Sequence, residues 1–183
     1  MRLHIIRHAQ AVERSAALPD EQRNLTCRGR KRFRQVAARL KKMAIAPDYI
    51  LTSPLIRAVQ TAEILSETIS FNGELQISAA LAGGSDSAAL NSLLRARNSA
   101  SEIVIVGHEP DLGELVGTLL RLPAPCSLPK GCVVSLEISL KKSGLTAELI
   151  SLITGSGKAI RKPAEAIKRL LGENHTCNKE EAR

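Results

Sequence analysis

The chain has 183 residues, a net charge of +8, and a 44% apolar composition in which aromatics make up only 2%. That length suits one domain able to bury a sizeable core, and one Tyr, two Phe and no Trp argue against a base-stacking platform for single-stranded nucleic acid. The charge is uneven, with 13 Lys/Arg against 4 Asp/Glu in residues 1–60, 4 against 9 in residues 61–140, and 9 against 5 in residues 141–183. Basic ends around an acidic middle suit nucleic acid, an acidic protein or a phosphorylated substrate, without bearing on fold.

In chain order, "LHIIR" is a short, nearly continuous apolar run, as expected of a strand buried on both faces. A polar loop, "ERSAALPDEQRN", leads to "LTCRGRKRFRQVAARLKKM", which reads as a helix. Thr26 can cap it, and Phe33, Val36, Ala37 and Leu40 fall at i, i+3, i+4 and i+7. Gly29 early in that helix permits close approach of another part of the chain. The basic run "RGRKRFRQVAARLKK" reads first as a solvated helix face. "DYILTS" is a second strand, and "SPLIRAVQTAEILSETI" a second helix with Ser53 as N-cap and Pro54 in its first position.

"ELQIS" is a weak third strand, followed by a helix over "DSAALNSLLRAR" that Asp86 or Ser87 could cap. "EIVIVGH" is the clearest buried strand and "PDLGELVGTLLRL" the helix after it. "CVVSLEIS" and "LTAELISL" then form a hairpin-like pair through "LKKSG". Residues 158–183 follow as a basic amphipathic helix and a polar tail containing His175. Strand–helix alternation predicts a single domain over residues 1–157, a three-layer α/β/α architecture with a mainly parallel central sheet.

The four cysteines, Cys27, Cys126, Cys132 and Cys177, lack C-x-x-C or zinc-ligand spacing and read as free thiols in a reducing compartment. With no signal-peptide h-region and no apolar run of ~20 residues, the expectation is a soluble cytoplasmic protein that does not bind membranes.

Ligands of an open parallel sheet bind beyond the carboxyl ends of its strands. Three such ends are chemically loaded: the first strand delivers Arg7 and His8, the second Ser53 and then Arg57, and "IVIVGH" delivers His108. Arg57 falls in the first turn of a helix, and His108 stands just before Pro110 at the start of another, where unpaired N–H groups and the helix dipole favour anions. Each residue alone has a structural explanation, and His4 and His175 are read as structural for want of loaded neighbours. Three strand ends presenting the same chemistry point instead to one dianionic group.

"RHAQA", "LTCRG", "LTSPLIRAVQTAEIL" and "VIVGHEPDLGELV", in order over roughly residues 1–120, together resemble the histidine phosphatase (phosphoglycerate mutase-like) superfamily. The short length and the "RHA" variant make the chain similar to its SixA-type phosphohistidine phosphatase branch. The resemblance implies the phosphoglycerate mutase-like fold, His8 as nucleophile, and Arg7, Arg57 and His108 around the phosphate. Arg23, in "RNLT", resembles a pocket-rim arginine of that branch. It further implies hydrolysis of phosphohistidine on a partner protein, as in signal transduction, with inorganic phosphate as product and neither metal nor cofactor.

The residues can perform that chemistry on physical grounds. Neutral imidazole is nucleophilic near neutral pH, arginine forks match phosphate oxygens, and Arg7, Arg57 and a protonated His108 would stabilise the transferring group. Two departures stand out: the family's usual Gly is Ala9, and "LAGGSDSAAL" has Gly83 and Gly84 where larger relatives carry a Glu proton donor. Glu63 and Glu109 are not obvious replacements, and Asp86 is the remaining candidate. The alternatives are a sugar-phosphate phosphatase of the same superfamily, or a non-catalytic phosphate- or nucleic-acid-binding module; nucleic acid is the less expected partner.

Overall fold

The computed structural model describes residues 1–84, 87–141 and 144–172. Its centre is a seven-stranded sheet formed by β1 (Arg2–Arg7), β2 (Tyr49–Thr52), β3 (Leu75–Ile77), β4 (Glu102–Gly107), β5 (Val133–Lys141), β6 (Gly144–Ile153) and β7 (Ala159–Ile160), in the order β3-β2-β4-β1-β5-β6-β7. β3, β2, β4 and β1 run parallel, whereas β5, β6 and β7 join by antiparallel pairing. The expectation of a mainly parallel sheet therefore holds for one half only. A direct hairpin can join only antiparallel strands, because a parallel pair needs a long crossover. The hairpin expected from residues 132–152 is present as β5 and β6, and both strands run further into "LKKSG" than the sequence suggested.

Among the described residues, five α-helices cover the sheet: α1 (Cys27–Lys42), α2 (Ile56–Ile69), α3 (Ser87–Arg95), α4 (Asp111–Leu120) and α5 (Pro163–Leu170). Strand alternation divides the apolar residues between two cores. Leu3, Ile5, Leu51, Ile103 and Ile105 face one side with Leu94 of α3, Leu115 of α4 and Leu170 of α5. Ile6, Ile50, Val104 and Val106 face the other with Phe33 and Leu40 of α1 and Leu65 of α2. This is the three-layer arrangement. The segment after residue 157 adds β7 to the sheet and buries Ala166 and Leu170 of α5 in the first core.

Local chemistry fixes where each helix begins. The Thr26 hydroxyl caps α1 by accepting the Gly29 N–H at 2.9 Å. At Gly29 a side chain would collide with the Gln10 carbonyl, so this glycine lets α1 approach the segment just beyond β1. α2 differs from its sequence reading: it begins at Ile56 after an uncapped Leu55, and the Ser53 hydroxyl instead accepts the Leu55 N–H at 3.2 Å. Cys27 is exposed while Cys126 and Cys132 are buried, all three as free thiols. Cys177, His175 and Asp86 lie outside the described residues. No helix among the described residues is long and apolar enough to cross a membrane.

Candidate active site

The three loaded strand ends meet at one edge of the sheet, because β2, β4 and β1 are neighbours. The Ser53 N–H donates to the Val106 carbonyl at 3.0 Å, and the His8 N–H donates to the Gly107 carbonyl at 3.0 Å. Ser53, His108 and His8 thus leave adjacent strands at one level. Beneath them, the Gly131 N–H donates to the carbonyls of Arg7 and His8, at 3.1 Å each, from a left-handed backbone (φ +74) that favours glycine. On the other flank Thr61 accepts the Ala9 N–H at 3.1 Å and donates to the Arg57 carbonyl at 2.7 Å. One buried hydroxyl therefore ties the end of β1 to the first turn of α2.

His8 and His108 lie with ring centroids 5.0 Å apart and planes tilted by 52°, each only 6% exposed. His8 Nδ1 lies 2.7 Å from the Ala9 carbonyl. A carbonyl only accepts, so the proton sits on Nδ1. Burial pushes the His8 pKa down to about 3, with His108, Arg57 and Arg7 adding to the effect and the Ala9 hydrogen bond opposing it. Neutral with Nδ1 protonated, the ring carries its lone pair on Nε2, which has no hydrogen-bond partner among the described residues.

His108 Nε2 pairs with the Ser53 hydroxyl at 2.7 Å. Its pKa is lowered to about 4 by burial and then by Arg57, with Asp20 and Asp111 pulling the other way. Burial among guanidinium groups favours the neutral ring, so the protonated His108 expected around the transferring group depends on the charge of a bound phosphoryl group. A bound dianion would favour its charged form.

Arg7 Nη1 donates to the Leu128 carbonyl at 2.5 Å. Arg57 donates from Nη1 to the Asp20 carbonyl at 2.6 Å and from Nη2 to Asp20 Oδ2 at 2.7 Å. Both Nε atoms, together with His108 Nδ1, are buried without a hydrogen-bond partner among the described residues. Unpaired buried donors are costly, and two from guanidinium groups around His8 suit an oxyanion that accepts from both.

Arg23, also buried, joins the group through Asp20: its Nη1 donates to Oδ1 at 2.6 Å and its Nε to the Val12 carbonyl at 2.9 Å. Arg14 Nε reaches the same Oδ1 at 2.9 Å. The structure thus gathers every proposed site residue: Arg7, His8, Arg23, Arg57 and His108.

Asp20 and Thr61 were missed by sequence reasoning. Asp20 sits in a polar loop whose only regular element is a 3-10 turn over Asp20–Gln22, and nothing local marks it. Thr61 follows Arg57 at i+4 on an apolar helix face, which was a readable hint. Hydrogen bonds from Arg23, Arg14 and Arg57 hold the Asp20 carboxyl well below the usual carboxylate range, against the opposing effect of burial. These contacts favour the carboxylate form of Asp20, not the protonated acid that a proton donor requires. Glu63 is exposed on α2. Glu109, half-buried beside His108, has its pKa raised by burial, with the Leu128 N–H, Arg7, the Ser127 hydroxyl and the Gly113 N–H opposing the rise.

Comparison with known proteins gives the same direction. A family model described as histidine phosphatase superfamily (branch 1) matches residues 3–82, which include Arg7, His8, Arg23 and Arg57. An uncharacterised protein of Picosynechococcus sp. is 39% identical over 116 residues, covering 62% of this chain and 70% of that protein. Phosphohistidine phosphatase SixA of Escherichia coli is 26% identical over 146 residues, 79% of this chain and 88% of its own length. A solved structure of the protein histidine phosphatase SixA complexed with tungstate has a TM-score of 0.73 at 24% identity, covering 85% of this chain and 97% of that one. A mycobacterial glucosyl-3-phosphoglycerate phosphatase has a TM-score of 0.62 at 17% identity, covering 81% and 96%. At such identities these structural likenesses speak for the fold.

Proposed function

The chain belongs to the histidine phosphatase superfamily, and on that premise we propose that it hydrolyses phosphohistidine on a partner protein, with His8 as the covalent carrier. The observation that carries this reading is the state of His8: neutral, with Nδ1 fixed on Ala9 and the Nε2 lone pair unengaged. Nε2 attacks phosphorus in line on a substrate ring already protonated by solvent on its other nitrogen, and the electron pair of the P–N bond leaves on that ring as neutral imidazole. Water then attacks phospho-His8, releasing inorganic phosphate and regenerating the neutral ring. Arg7 and Arg57 stabilise the equatorial oxygens, and His108 gains a proton as the dianion arrives.

The substrate class follows from the leaving group. A sugar or serine alkoxide has a conjugate acid with a pKa near that of water, ~15.7, so it needs a proton donor. Neutral imidazole, leaving from a phosphohistidine ring protonated on its other nitrogen, has a conjugate-acid pKa of about 6.5. General acid catalysis contributes typically ~10²–10⁴-fold, and Asp20, held as a carboxylate by three arginines, is poorly set up to supply it. The exposed cations Arg28, Lys31, Arg32 and Arg34 on α1 would favour docking of an acidic phosphoprotein.

One observation favours a sugar-phosphate phosphatase instead. Glu109 is a half-buried carboxyl next to His108 in the chain, and burial raises its pKa, the direction a proton donor requires. Parallel assays of a phosphohistidine protein, p-nitrophenyl phosphate and an alkyl sugar phosphate separate the two readings. The phosphohistidine reading expects at least a ~10²-fold advantage in kcat/KM over the alkyl ester. Equal or faster ester hydrolysis, lost in Glu109→Gln, would replace it with the sugar-phosphate reading.

A further inference from the structure

The contacts around Asp20 go beyond holding a loop in place. Its carboxylate accepts from Arg57, Arg23 and Arg14 at 2.6–2.9 Å, and its main-chain carbonyl accepts a second bond from Arg57. Arg57 and Arg23 are buried, whereas the Asp20 side chain is about one-third exposed and the Arg14 side chain mostly exposed. A resident anion is therefore already bound to Arg57, whose Nε remains without a partner among the described residues.

Arg23 and Arg57 are buried cations of this cluster, Arg7 is a half-buried one, Arg14 is an exposed one at its rim, and the Asp20 carboxylate removes one unit of their charge. Without that carboxylate the same arginines would hold free phosphate more tightly and release the product more slowly. Uniform binding of this kind favours the ground state and the product, not turnover.

We propose that Asp20 is a built-in counter-charge that weakens the pocket's hold on free phosphate, so that product leaves a site otherwise lined with arginines. The inference rests on the phosphatase reading above. The two Asp20 contacts to Arg57 make charge and positioning separable. The main-chain bond to Arg57 Nη1 does not depend on the side chain, so Asp20→Asn removes the charge while leaving that anchor. Asp20→Glu keeps the charge.

The test is binding of tungstate and inorganic phosphate to the full chain, by calorimetry and by competitive inhibition, in wild type, Asp20→Asn and Asp20→Glu. Loss of one full charge beside the oxyanion should tighten binding of both ions by about tenfold or more in Asp20→Asn. That gain should shrink as salt is raised, and Asp20→Glu should stay near wild type. Progress curves of Asp20→Asn should also bend earlier as phosphate accumulates. Unchanged or weaker binding in Asp20→Asn overturns the inference and makes Asp20 a positioning residue for Arg57. Equal tightening in Asp20→Glu overturns it too, since charge would not be the cause. If Asp20→Asn does not fold, Asp20→Ser takes its place with the same expectation. A wild-type protein with no affinity for either ion would bring down the phosphatase reading itself, a result distinct from any ranking of the variants.

Discussion

His4 within β1 and His8 just beyond its carboxyl end are both buried, yet their surroundings differ in one respect. His4 has partners on both ring nitrogens: Nδ1 meets the Ser135 hydroxyl at 2.8 Å and Nε2 meets Glu102 at 2.7 Å. Glu102 in turn accepts the Ala46 N–H at 3.2 Å and pairs with Arg2 at 3.3 Å. Burial alone would raise the Glu102 pKa, but the hydrogen bonds from His4 and Ala46 hold it low. His8 and His108 each use one ring nitrogen within the protein and leave the other without a partner among the described residues. A fully paired buried histidine serves the fold. A half-paired one, beside two half-paired arginines, is arranged for something that arrives.

Substitutions at the two ends should therefore separate activity from stability. The largest effect is expected at the site end: His8→Ala should lose turnover by ~10⁴-fold or more while urea unfolding stays close to wild type. Near-wild-type turnover would erase the distinction. Next, Arg57→Ala or Arg7→Ala should lose on the order of 10²-fold or more in kcat/KM, with phosphate inhibition weakened in parallel. Unchanged kinetics in Arg57→Ala would mean that its contacts to Asp20 are its whole role.

The opposite pattern is expected at the other end. His4→Ala leaves Glu102 and Ser135 buried with one partner fewer, at a cost of about 1–3 kcal/mol. Chemical denaturation should show that loss, with kcat within a few-fold of wild type. A large fall in kcat at unchanged stability would give His4 a part in catalysis.

The smallest effect concerns pH. With folded-state pKa values of about 3 for His8 and about 4 for His108, neither ring should titrate near 6.5 in NMR spectra of the phosphate-free protein. Between pH 6.5 and these values the unfolded chain binds protons that the folded chain does not, so stability falls as pH falls through that window. His8→Gln should flatten the fall. A ring titrating near 6.5 would show that water reaches the pocket and lowers the cost of charging it.

Much of this was legible in the sequence because it is local. The apolar run of β4, the period of α1 and the loaded strand ends point to Arg7, His8, Arg57 and His108 as neighbours from the sequence alone. The cap of α1 was readable because Thr26 lies three residues before Gly29. Ser53 was misread as a helix cap because Ser-Pro is a common helix start, whereas the neighbouring strand brings His108 to its hydroxyl. Asp20 was invisible for a similar reason: its partners are 3, 6 and 37 residues away, and a polar loop gives no period to read. The antiparallel half of the sheet was visible as a hairpin, but its pairing with β1 depends on contacts more than 100 residues apart.

In the proposed reaction the phosphoryl group passes through His8. Rapid quenching of the protein with a substrate labelled in its phosphoryl group, followed by peptide mapping, tests it directly. The label should appear on His8 as an acid-labile, base-stable adduct that forms and decays at rates compatible with turnover, and it should be absent from His8→Ala. Full turnover with no label on the protein, or label on another residue of the wild type, would contradict the claim.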